Sequence, residues 1–388
     1  MNNNRFILIH YHEIGLKGKN RGAFERRLIT NINRALKDIP CGKVQRISGR
    51  MMLALTPESP VEMIHKRLTT VFGIANFSEA VTVDRNIEAI RETAWALAQK
   101  TEFESFKMVT KRGDKTFPLN SEQINRDVGA HIQQLSGTRV QMDNPDLTCF
   151  VEIAPQQIFI YAEKISAPGG LPVGSNEHAV SLISSGIDSP VASYKLMKRG
   201  VKLTYVHFHS HPYTNRNSQR NTEEIVHLLN QHQFISDLYA VPFVEIQRHI
   251  MTEAPASYRV ILYRRAMLRI AEAIANKVGA LALVTGENVG QVASQTLSNM
   301  RAIEEVTPLP ILRPLAGDNK EEIINEARRI GTYEISIEPY EDCCSVFVPK
   351  HPETRANLEK VRDIDAKLDL DPIIEQTLEQ TELKTFKF

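Results

Sequence analysis

The sequence has no long uncharged apolar run, and this absence excludes a protein with transmembrane helices. A helix needs about 20 consecutive apolar residues to cross a bilayer, and no uncharged stretch of this chain is that long. The first residues lead directly into a short strand pattern, without the apolar segment of a secretory signal. We therefore predict a cytoplasmic protein that does not enter membranes.

Cysteine and net charge are also scarce. The 388 residues include 4 cysteines, none of them in a C-x-x-C pair, so the pattern predicts neither a disulfide framework nor a metal site. Lys and Arg total 47 against 46 Asp and Glu, which gives a net charge of +1. An RNA-binding surface must then come from local clusters of basic residues.

The chain does have enough apolar residues, 42%, for two or three packed domains. A segment rich in Pro and Gly, Ala167–Gly174, separates two patterns and is interpreted as the main linker. Before it, strands at Phe6–Tyr11 and Met51–Leu55 and helices at Arg21–Lys37 and Pro60–Thr69 predict a small α+β domain. A second small domain is expected between these elements and the linker.

After the linker, strand and helix patterns alternate, which predicts a parallel sheet covered by helices on both faces. Ligands bind such a sheet where the carboxyl ends of its strands meet the following helices. The predicted strands are Ala179–Ser184, Leu203–His209, Asp237–Val241 and Leu281–Val284, and the predicted helices are 190–199, 222–233 and 258–277.

The segment Ser184–Ser189, called the phosphate loop below, joins the first of these strands to a helix whose first turn suits Pro190. Small residues there expose backbone N–H groups at a helix N-terminus, where the partial positive charge favours a phosphate. The segment contains no Walker A pattern. A plain turn with a helix cap is the alternative interpretation.

Polar residues also follow the other predicted strands. His207, His209 and His211 end the second strand, and we prefer an adenine-facing strand end to a metal site because no Asp, Glu or Cys lies at ligand spacing. Arg264 and Arg265 lie on the long helix, from which they can reach phosphate oxygens or face solvent.

Three later features extend the pattern. Gly286–Thr296 is a second strand-to-helix junction, which should line the crevice opposite the first. Arg313 and Lys320 supply basic residues near a helix start, with surface ion pairs as the alternative. Cys343 and Cys344 are adjacent, and a thiolate there could carry sulfur, whereas buried inert thiols are the alternative.

Basic residues gather twice in the N-terminal half. Such clusters contact RNA phosphates without reading bases, which makes binding sensitive to salt. Solvated charged faces are the alternative. The two basic clusters comprise Lys17, Lys19, Arg21, Arg26 and Arg27 early in the chain and Lys107, Lys111, Arg112 and Lys115 further along.

Together these motifs resemble the tRNA 4-thiouridine synthetase family, the tRNA sulfurtransferases also linked to thiamine biosynthesis. The phosphate loop is similar to the S-G-G-x-D-S loop of ATP pyrophosphatases, with Ser185 where the second position is usually Gly. If that position needs a positive φ, Ser185 is strained by about 1–2 kcal/mol. The resemblance is carried by Glu13–Arg21, Lys111–Leu119, Ser184–Ser189, Gly286–Thr296 and Glu341–Phe347.

The resemblance implies an α/β chain of three domains: a ferredoxin-like α+β domain at 1–75, a THUMP domain at 76–170 that binds the tRNA acceptor end, and a doubly wound ATP-pyrophosphatase domain at 171–388. It makes Asp188 the essential acidic residue of the phosphate loop and Cys344, or alternatively Cys343, the sulfur-transfer residue. The resemblance and the loop pattern together imply a set of residues that contact ATP. These are Leu182, Ile183, Ser184, Ser185, Gly186, Ser189, His207, Phe208, Arg264, Gly286 and Gln295.

The implied reaction joins the C4 oxygen of a tRNA uridine to AMP, releases pyrophosphate, and lets sulfur displace AMP to give 4-thiouridine. Mg²⁺ is expected to bridge the phosphates of ATP. No rhodanese pattern follows the third domain, so we expect a cysteine desulfurase to supply the sulfur, and a homodimer is left open. The alternatives are another ATP-dependent tRNA modification, either 2-thiolation or amidation, and a non-catalytic tRNA-binding module.

Overall fold

The protein is described by a computed structural model whose residue contacts divide it into two units, Met1–Pro172 and Val173–Phe388. Within the described ranges, no helix combines the length and the apolar character needed to cross a bilayer. The described residues are 5–47, 49–213, 216–339 and 351–388.

The described strands of the first unit form one nine-stranded sheet. They are, in chain order, β1 (Arg5–His10), β2 (Val44–Ile47), β3 (Arg50–Ala54), β4 (Asn76–Val83), β5 (Ser105–Arg112), β6 (Arg139–Val140), β7 (Leu147–Ile153), β8 (Ile158–Tyr161) and β9 (Ile165–Ser166). The order across the sheet is β2-β3-β1-β4-β8-β7-β5-β6, with β9 paired to β4. The pairing is antiparallel except where β5 runs parallel to β6 and β7.

Helices pack against this sheet in two pairs. They are α1 (Arg21–Ala35), α2 (Val61–Leu68), α3 (Ile87–Ala98) and α4 (Ser121–Ser136). α1 begins at the predicted residue, and α4 begins at a capping box in which Asn120 and Gln123 bond each other's backbone N–H groups. The predicted strands and helices of the small α+β domain are therefore confirmed to within about three residues at their ends.

The second unit contains a six-stranded sheet. Its described strands are β10 (His178–Leu182), β11 (Lys202–His209), β12 (Ile235–Pro242), β13 (Ala282–Val284), β14 (Ile311–Leu312) and β15 (Glu382–Lys387). The order is β14-β13-β10-β11-β12-β15, and neighbouring strands are parallel except β15, which is antiparallel to β12. The parallel sheet is confirmed, and its antiparallel edge strand was not predicted.

The connecting helices confirm the predicted alternation. They are α5 (Asp188–Lys198), α6 (Asn217–Gln233), α7 (Val244–Glu253), α8 (Arg259–Val278), α9 (Leu297–Glu304), α10 (Lys320–Ile330), α11 (Tyr333–Ser336), α12 (Leu358–Leu368) and α13 (Asp371–Glu379). α7 was missed because its ten residues follow β12 almost directly. α8 is buried along most of its length and forms the centre of the core of the unit.

β10 is the switch point of this sheet. The chain builds β11 and β12 on one side of β10 and then returns to add β13 on the other side. In a doubly wound sheet a crevice opens at the carboxyl end of such a strand, because the connections on its two sides leave in opposite directions. The phosphate loop follows β10, so the fold places it in that crevice.

Candidate nucleotide site and RNA-binding residues

The phosphate loop runs from β10 into the first turn of α5. α5 begins at Asp188, two residues before the predicted start, so Asp188 and Ser189 belong to the helix. The residue before it, Ile187, has no side-chain oxygen that could cap the first N–H groups of the helix. An anion at this helix end therefore meets no competition from a capping side chain.

Serine hydroxyls brace the loop from within. The hydroxyl of Ser189 accepts a hydrogen bond from the backbone N–H of Ser184 at 2.9 Å. Ser185 is fully buried, and its Oγ lies 3.3 Å from Oγ of Ser218 at the start of α6. The φ of Ser185 lies outside the left-handed region. The condition for strain at Ser185, a positive φ, is therefore not met.

Asp188 is held by two side chains from later in the chain. Lys320 Nζ lies 2.6 Å from Asp188 Oδ1, and Gln291 Nε2 donates to Asp188 Oδ2 at 3.0 Å. Lys320 is the first residue of α10, and its side chain is 46% exposed. Lys320 was expected either to supply a basic residue to the site or to form a surface ion pair. The structure shows an ion pair, and its acidic partner, Asp188, belongs to the phosphate loop.

Gly286 explains how the second strand-to-helix junction approaches the loop so closely. A Cβ at this position would lie 2.7 Å from the backbone N of Ser189 and 2.9 Å from the carbonyl carbon of Asp188. Both are backbone atoms of α5 and cannot move aside. Only Gly lets the segment after β13 pack against the first turn of α5, as the sequence pattern predicted for the two sides of one crevice.

One cavity, called the nucleotide cavity below, collects most of the predicted residues. Ser185 and Gly186 do not line it, although they shape the loop that does. Met267, Thr285 and Glu287 line it without having been predicted. The remaining lining residues are Leu182, Ile183, Ser184, Asp188, Ser189, His207, Phe208, Arg264, Gly286 and Gln295.

Two polar side chains in the cavity wall suit a nucleobase. His207 is 3% exposed, and its Nδ1 lies 3.1 Å from the carbonyl oxygen of Ile183, which fixes the ring orientation. Gln295 Oε1 is buried and has no hydrogen-bond partner among the described residues. A buried acceptor facing a cavity favours a ligand with an N–H group, such as the amino group of adenine.

The neighbouring histidines do not share this position. Neither His209 nor His211 lines the nucleotide cavity. Burial, together with His207 and His211 and two further cations, lowers the pKa of His209 to about 4. Within the described residues no group of three or more His, Cys, Asp or Glu side chains is arranged to hold a metal ion.

The adjacent arginines Arg264 and Arg265 diverge. Arg264 lines the nucleotide cavity and its Nη1 donates to Glu287 Oε1 at 2.9 Å. Arg265 is 4% exposed and donates from Nη2 to Asp365 Oδ2 at 2.8 Å, so it belongs to a buried ion pair. Consecutive helical residues point about 100° apart, which separates the two guanidinium groups. The suggestion that both arginines reach phosphate is wrong for Arg265.

Two arginines of the basic clusters brace the protein. Arg21 Nη2 donates to Tyr11 Oη at 2.6 Å, and Arg112 Nη2 donates to the carbonyl oxygen of Lys115 at 2.7 Å, whereas Arg26 and Arg27 are exposed. Lys19, Lys111 and Lys115 are exposed, and Lys17 is half-buried with its Nζ 5.1 Å from the ring centre of Phe24. The exposed lysines are therefore better placed for phosphate contacts than Arg21 and Arg112.

A buried carboxylate lies beside the second cluster. Glu152 on β7 is 1% exposed; it forms an ion pair with Arg50 and accepts a hydrogen bond from Tyr161 Oη at 2.6 Å. His10 Nε2 lies 3.0 Å from Glu152 Oε1. Burial, with Arg50 and the lysines Lys111 and Lys164, lowers the pKa of His10 to about 3. His10 is therefore neutral at physiological pH.

Glu287 is the main cavity residue that sequence reasoning missed. Its one sequence signal is its position directly after Gly286, at the carboxyl end of a predicted strand. Cys343 and Cys344, the predicted sulfur-transfer residues, lie outside the described residues.

The fold and the cavity together define a class of protein. The second unit is a nucleotide-binding domain of the ATP-pyrophosphatase type. Its doubly wound sheet carries a serine- and glycine-rich phosphate loop at the switch point. A helix N-terminus faces the cavity, and the first residue of that helix is acidic.

Comparison with known proteins extends the assignment to the whole chain. Family models match for the ThiI ferredoxin-like domain over residues 6–78, the THUMP domain over 84–163 and the thiamine biosynthesis protein (ThiI) over 174–370. The "Probable tRNA sulfurtransferase" of Moorella thermoacetica is 43% identical over 98% of this chain and 97% of its own length. That of Geobacillus kaustophilus is 44% identical over 97% and 94%.

A solved structure agrees with these relatives. The crystal structure of a 4-thiouridine synthetase–RNA complex with bound ATP is 36% identical and covers 99% of this chain and 100% of that one, with a TM-score of 0.90. The chain belongs to the tRNA sulfurtransferase (ThiI) family. The predicted three-part fold, ferredoxin-like, THUMP and ATP-pyrophosphatase, is confirmed.

Proposed function

We propose that this chain is an ATP-dependent tRNA sulfurtransferase that converts a uridine of tRNA into 4-thiouridine. The observation that carries the proposal is the nucleotide cavity, where the phosphate loop, Arg264, His207 and Gln295 converge. The similarity over nearly the full chain to a 4-thiouridine synthetase solved with RNA and ATP supports the same activity.

The cavity suits ATP from both ends. The phosphate loop and the N-terminus of α5 offer N–H groups to the phosphates. Arg264 adds a guanidinium, which suits phosphate oxygens. At the other end Gln295 Oε1 is a buried acceptor without a partner among the described residues, which suits the amino group of adenine.

Asp188 is the residue that would hold Mg²⁺. Mg²⁺ in nucleotide sites binds through one or two carboxylates together with the phosphates, and Asp188 is the acidic residue at the phosphate end of the cavity. Bound there, the ion would neutralise charge on the phosphates and polarise them. Lys320, which pairs with Asp188, then becomes free to contact a phosphate oxygen of its own.

The C4 oxygen of uridine is a poor leaving group, so it must be activated before sulfur can replace it. The C4 oxygen of uridine attacks the α-phosphorus of ATP, the bond to the β-phosphate oxygen breaks, and pyrophosphate leaves into the phosphate loop. A persulfide sulfur then attacks C4 and AMP departs, so the C–O bond is replaced by a C–S bond. We assign the persulfide to Cys344 or Cys343 from the family resemblance. The other thiol would attack the cysteine sulfur of the resulting Cys–S–S–C4 adduct, which breaks the S–S bond, releases 4-thiouridine and leaves a disulfide between the two cysteines. A thiol reductant must supply two electrons to reduce that disulfide before the next turnover.

The domain boundaries, the RNA contacts and the partner proteins are also proposed from the family resemblance. We propose domain boundaries at 1–75, 76–170 and 171–388, with tRNA phosphates contacting Lys17, Lys19, Lys111 and Lys115 and lesser contributions from Arg21 and Arg112. A cysteine desulfurase supplies sulfur in the cytoplasm, and a homodimer is compatible with the proposal.

The decisive experiment combines the purified chain with tRNA, ATP, Mg²⁺, a cysteine desulfurase, cysteine and a thiol reductant. Mass analysis of the digested tRNA should show 4-thiouridine, with one AMP and one pyrophosphate formed for each sulfur inserted. Formation of a 2-thiolated or amidated nucleoside would favour the other modifying activities. tRNA binding without ATP turnover would favour a non-catalytic module.

A further inference from the structure

Glu287 stands out as a buried carboxylate whose role the proposed reaction does not use. It follows β13 directly after Thr285 and Gly286, and its side chain is only 6% exposed although it lines the nucleotide cavity. Its Oε1 accepts from Arg264 Nη1 at 2.9 Å. Its Oε2 accepts from Arg313 Nε at 2.8 Å and from Thr285 Oγ1 at 3.0 Å.

The charges around Glu287 explain why it stays ionised. Burial opposes ionisation, but Arg264 and Arg313, with the hydrogen bonds from Arg313 and Thr285, outweigh it and hold the pKa of Glu287 below its usual value. Arg313 in turn pairs from Nη1 with Glu304 Oε2 at 2.8 Å. The four side chains alternate in charge and sum to zero.

The two arginines occupy different positions. Arg264 lines the nucleotide cavity, whereas Arg313 does not. Glu287 engages a single terminal nitrogen of Arg264, and Arg264 Nε is buried without a hydrogen-bond partner among the described residues. One edge of this guanidinium is therefore anchored, and because the side chain is 30% exposed and lines the cavity, its Nη2 donors remain for a ligand there.

We propose that Glu287 is a positioning residue for ATP: it holds the guanidinium of Arg264 toward the nucleotide cavity, while Arg313 anchors Glu287 from outside the cavity lining. The inference rests on the proposed binding of ATP in this cavity. A long arginine side chain loses rotamer entropy when it binds a ligand, and an anchor that has already ordered it reduces that cost. Glu287 thus acts on ATP only through Arg264.

The test is a double-mutant cycle on ATP affinity measured by calorimetry with the full chain and Mg²⁺. Glu287→Gln keeps the shape of the side chain but removes the charge that anchors Arg264. It should raise Kd for ATP about tenfold, the size of effect typical of a partner that orients a ligand-binding group. In an Arg264→Met background the same substitution should change Kd by less than about twofold, because its target is gone.

Glu304→Gln is the matched control, because Glu304 also pairs with Arg313 but its side chain is 44% exposed and does not line the cavity. It should leave Kd for ATP unchanged. A purely structural role for Glu287 would lower Tm while leaving Kd unchanged, and that result overturns the proposal. An equal loss of affinity in both backgrounds also overturns it.

Failure of the wild-type chain to bind ATP would instead remove the proposed function, so the two failures are distinguishable. Should Glu287→Gln not fold, Arg313→Lys provides a second variant. It keeps the charge but loses the Nε donor with which Arg313 holds Glu287, and it should raise Kd several-fold. An unchanged Kd for this variant would count against the anchor.

Discussion

The two units of this chain use charged residues in opposite ways. In the second unit, charged side chains from α5, α8 and the segment after β13 line one cavity, and each of them forms an ion pair. In the first unit, three of the four lysines proposed to meet RNA are exposed and Lys17 is half-buried, and the four are spread over loops, a short 3₁₀ helix and a strand. Convergence makes each residue of a site matter greatly, whereas dispersion shares the binding energy among many weak contacts.

The largest effect is expected at Asp188, where the phosphate loop meets α5. Asp188→Asn keeps the side-chain shape but removes the charge that we propose holds Mg²⁺ and that now pairs with Lys320. We expect kcat for 4-thiouridine formation to fall by about 10²–10³-fold, as when one preorganised electrostatic contact is lost. Single-turnover kinetics with pre-bound tRNA measure it, and a loss confined to tRNA affinity would contradict it.

The phosphate end of the site was the part most accessible to sequence reasoning. Its small residues lie in one continuous segment, and both the strand before it and Pro190 after it give local signals. The Asp188–Lys320 pair joins residues 132 positions apart, so no local pattern could decide whether Lys320 faces solvent or the loop. Glu287 was missed for the same reason, since its partners lie on α8 and after β14.

Lys320→Met should produce the next largest effect. In the absence of ligand Lys320 is paired with Asp188, and with ATP bound we propose that it contacts a phosphate oxygen. Loss of a hydrogen bond to a charged group costs about 1.5–3 kcal/mol, so KM for ATP should rise by about 10- to 100-fold. Lys198→Met, at the last residue of α5 and away from the cavity lining, is the control and should leave KM unchanged.

The first unit also contains a place where charged groups converge, around His10, and its effect on stability can be measured. Its pKa falls from 6.5 to about 3 on folding, so the unfolded chain binds a proton between these values while the folded chain does not. Stability from this group is complete above pH 6.5 and is lost as pH falls below it. Between pH 7 and pH 5 the loss amounts to about 1.4–2 kcal/mol.

His10→Gln should remove that part of the pH dependence. Urea unfolding of both proteins at pH 7 and pH 5, followed by a signal from the first unit, measures the difference. An identical pH dependence in the two proteins would show that Glu152 offsets the cost of protonating His10 in the folded state, and the neutral imidazole would then be the wrong description.

A smaller effect is expected from the dispersed lysines. Lys111→Met combined with Lys115→Met should weaken tRNA binding about fivefold at moderate salt. The slope of log K against log salt should become less steep by about 1.4–1.8, because each lost phosphate contact contributes about 0.7–0.9. Lys100→Met, an exposed lysine of the same unit outside both clusters, is the control. An unchanged slope in the double variant would place the RNA elsewhere.

The smallest effect is expected where the sequence departs from the family pattern. Ser185 has a φ that any residue can adopt, and its hydroxyl makes a single long contact of 3.3 Å with Ser218. Ser185→Gly restores the usual residue but removes a buried side chain and gives the unfolded chain more freedom, so stability should fall slightly. Because Ser185 does not line the cavity, kcat and KM for ATP should change by less than about threefold. A tenfold gain in kcat would show instead that the serine restrains the loop during turnover, and the convergent site would then depend on a residue that never touches the nucleotide.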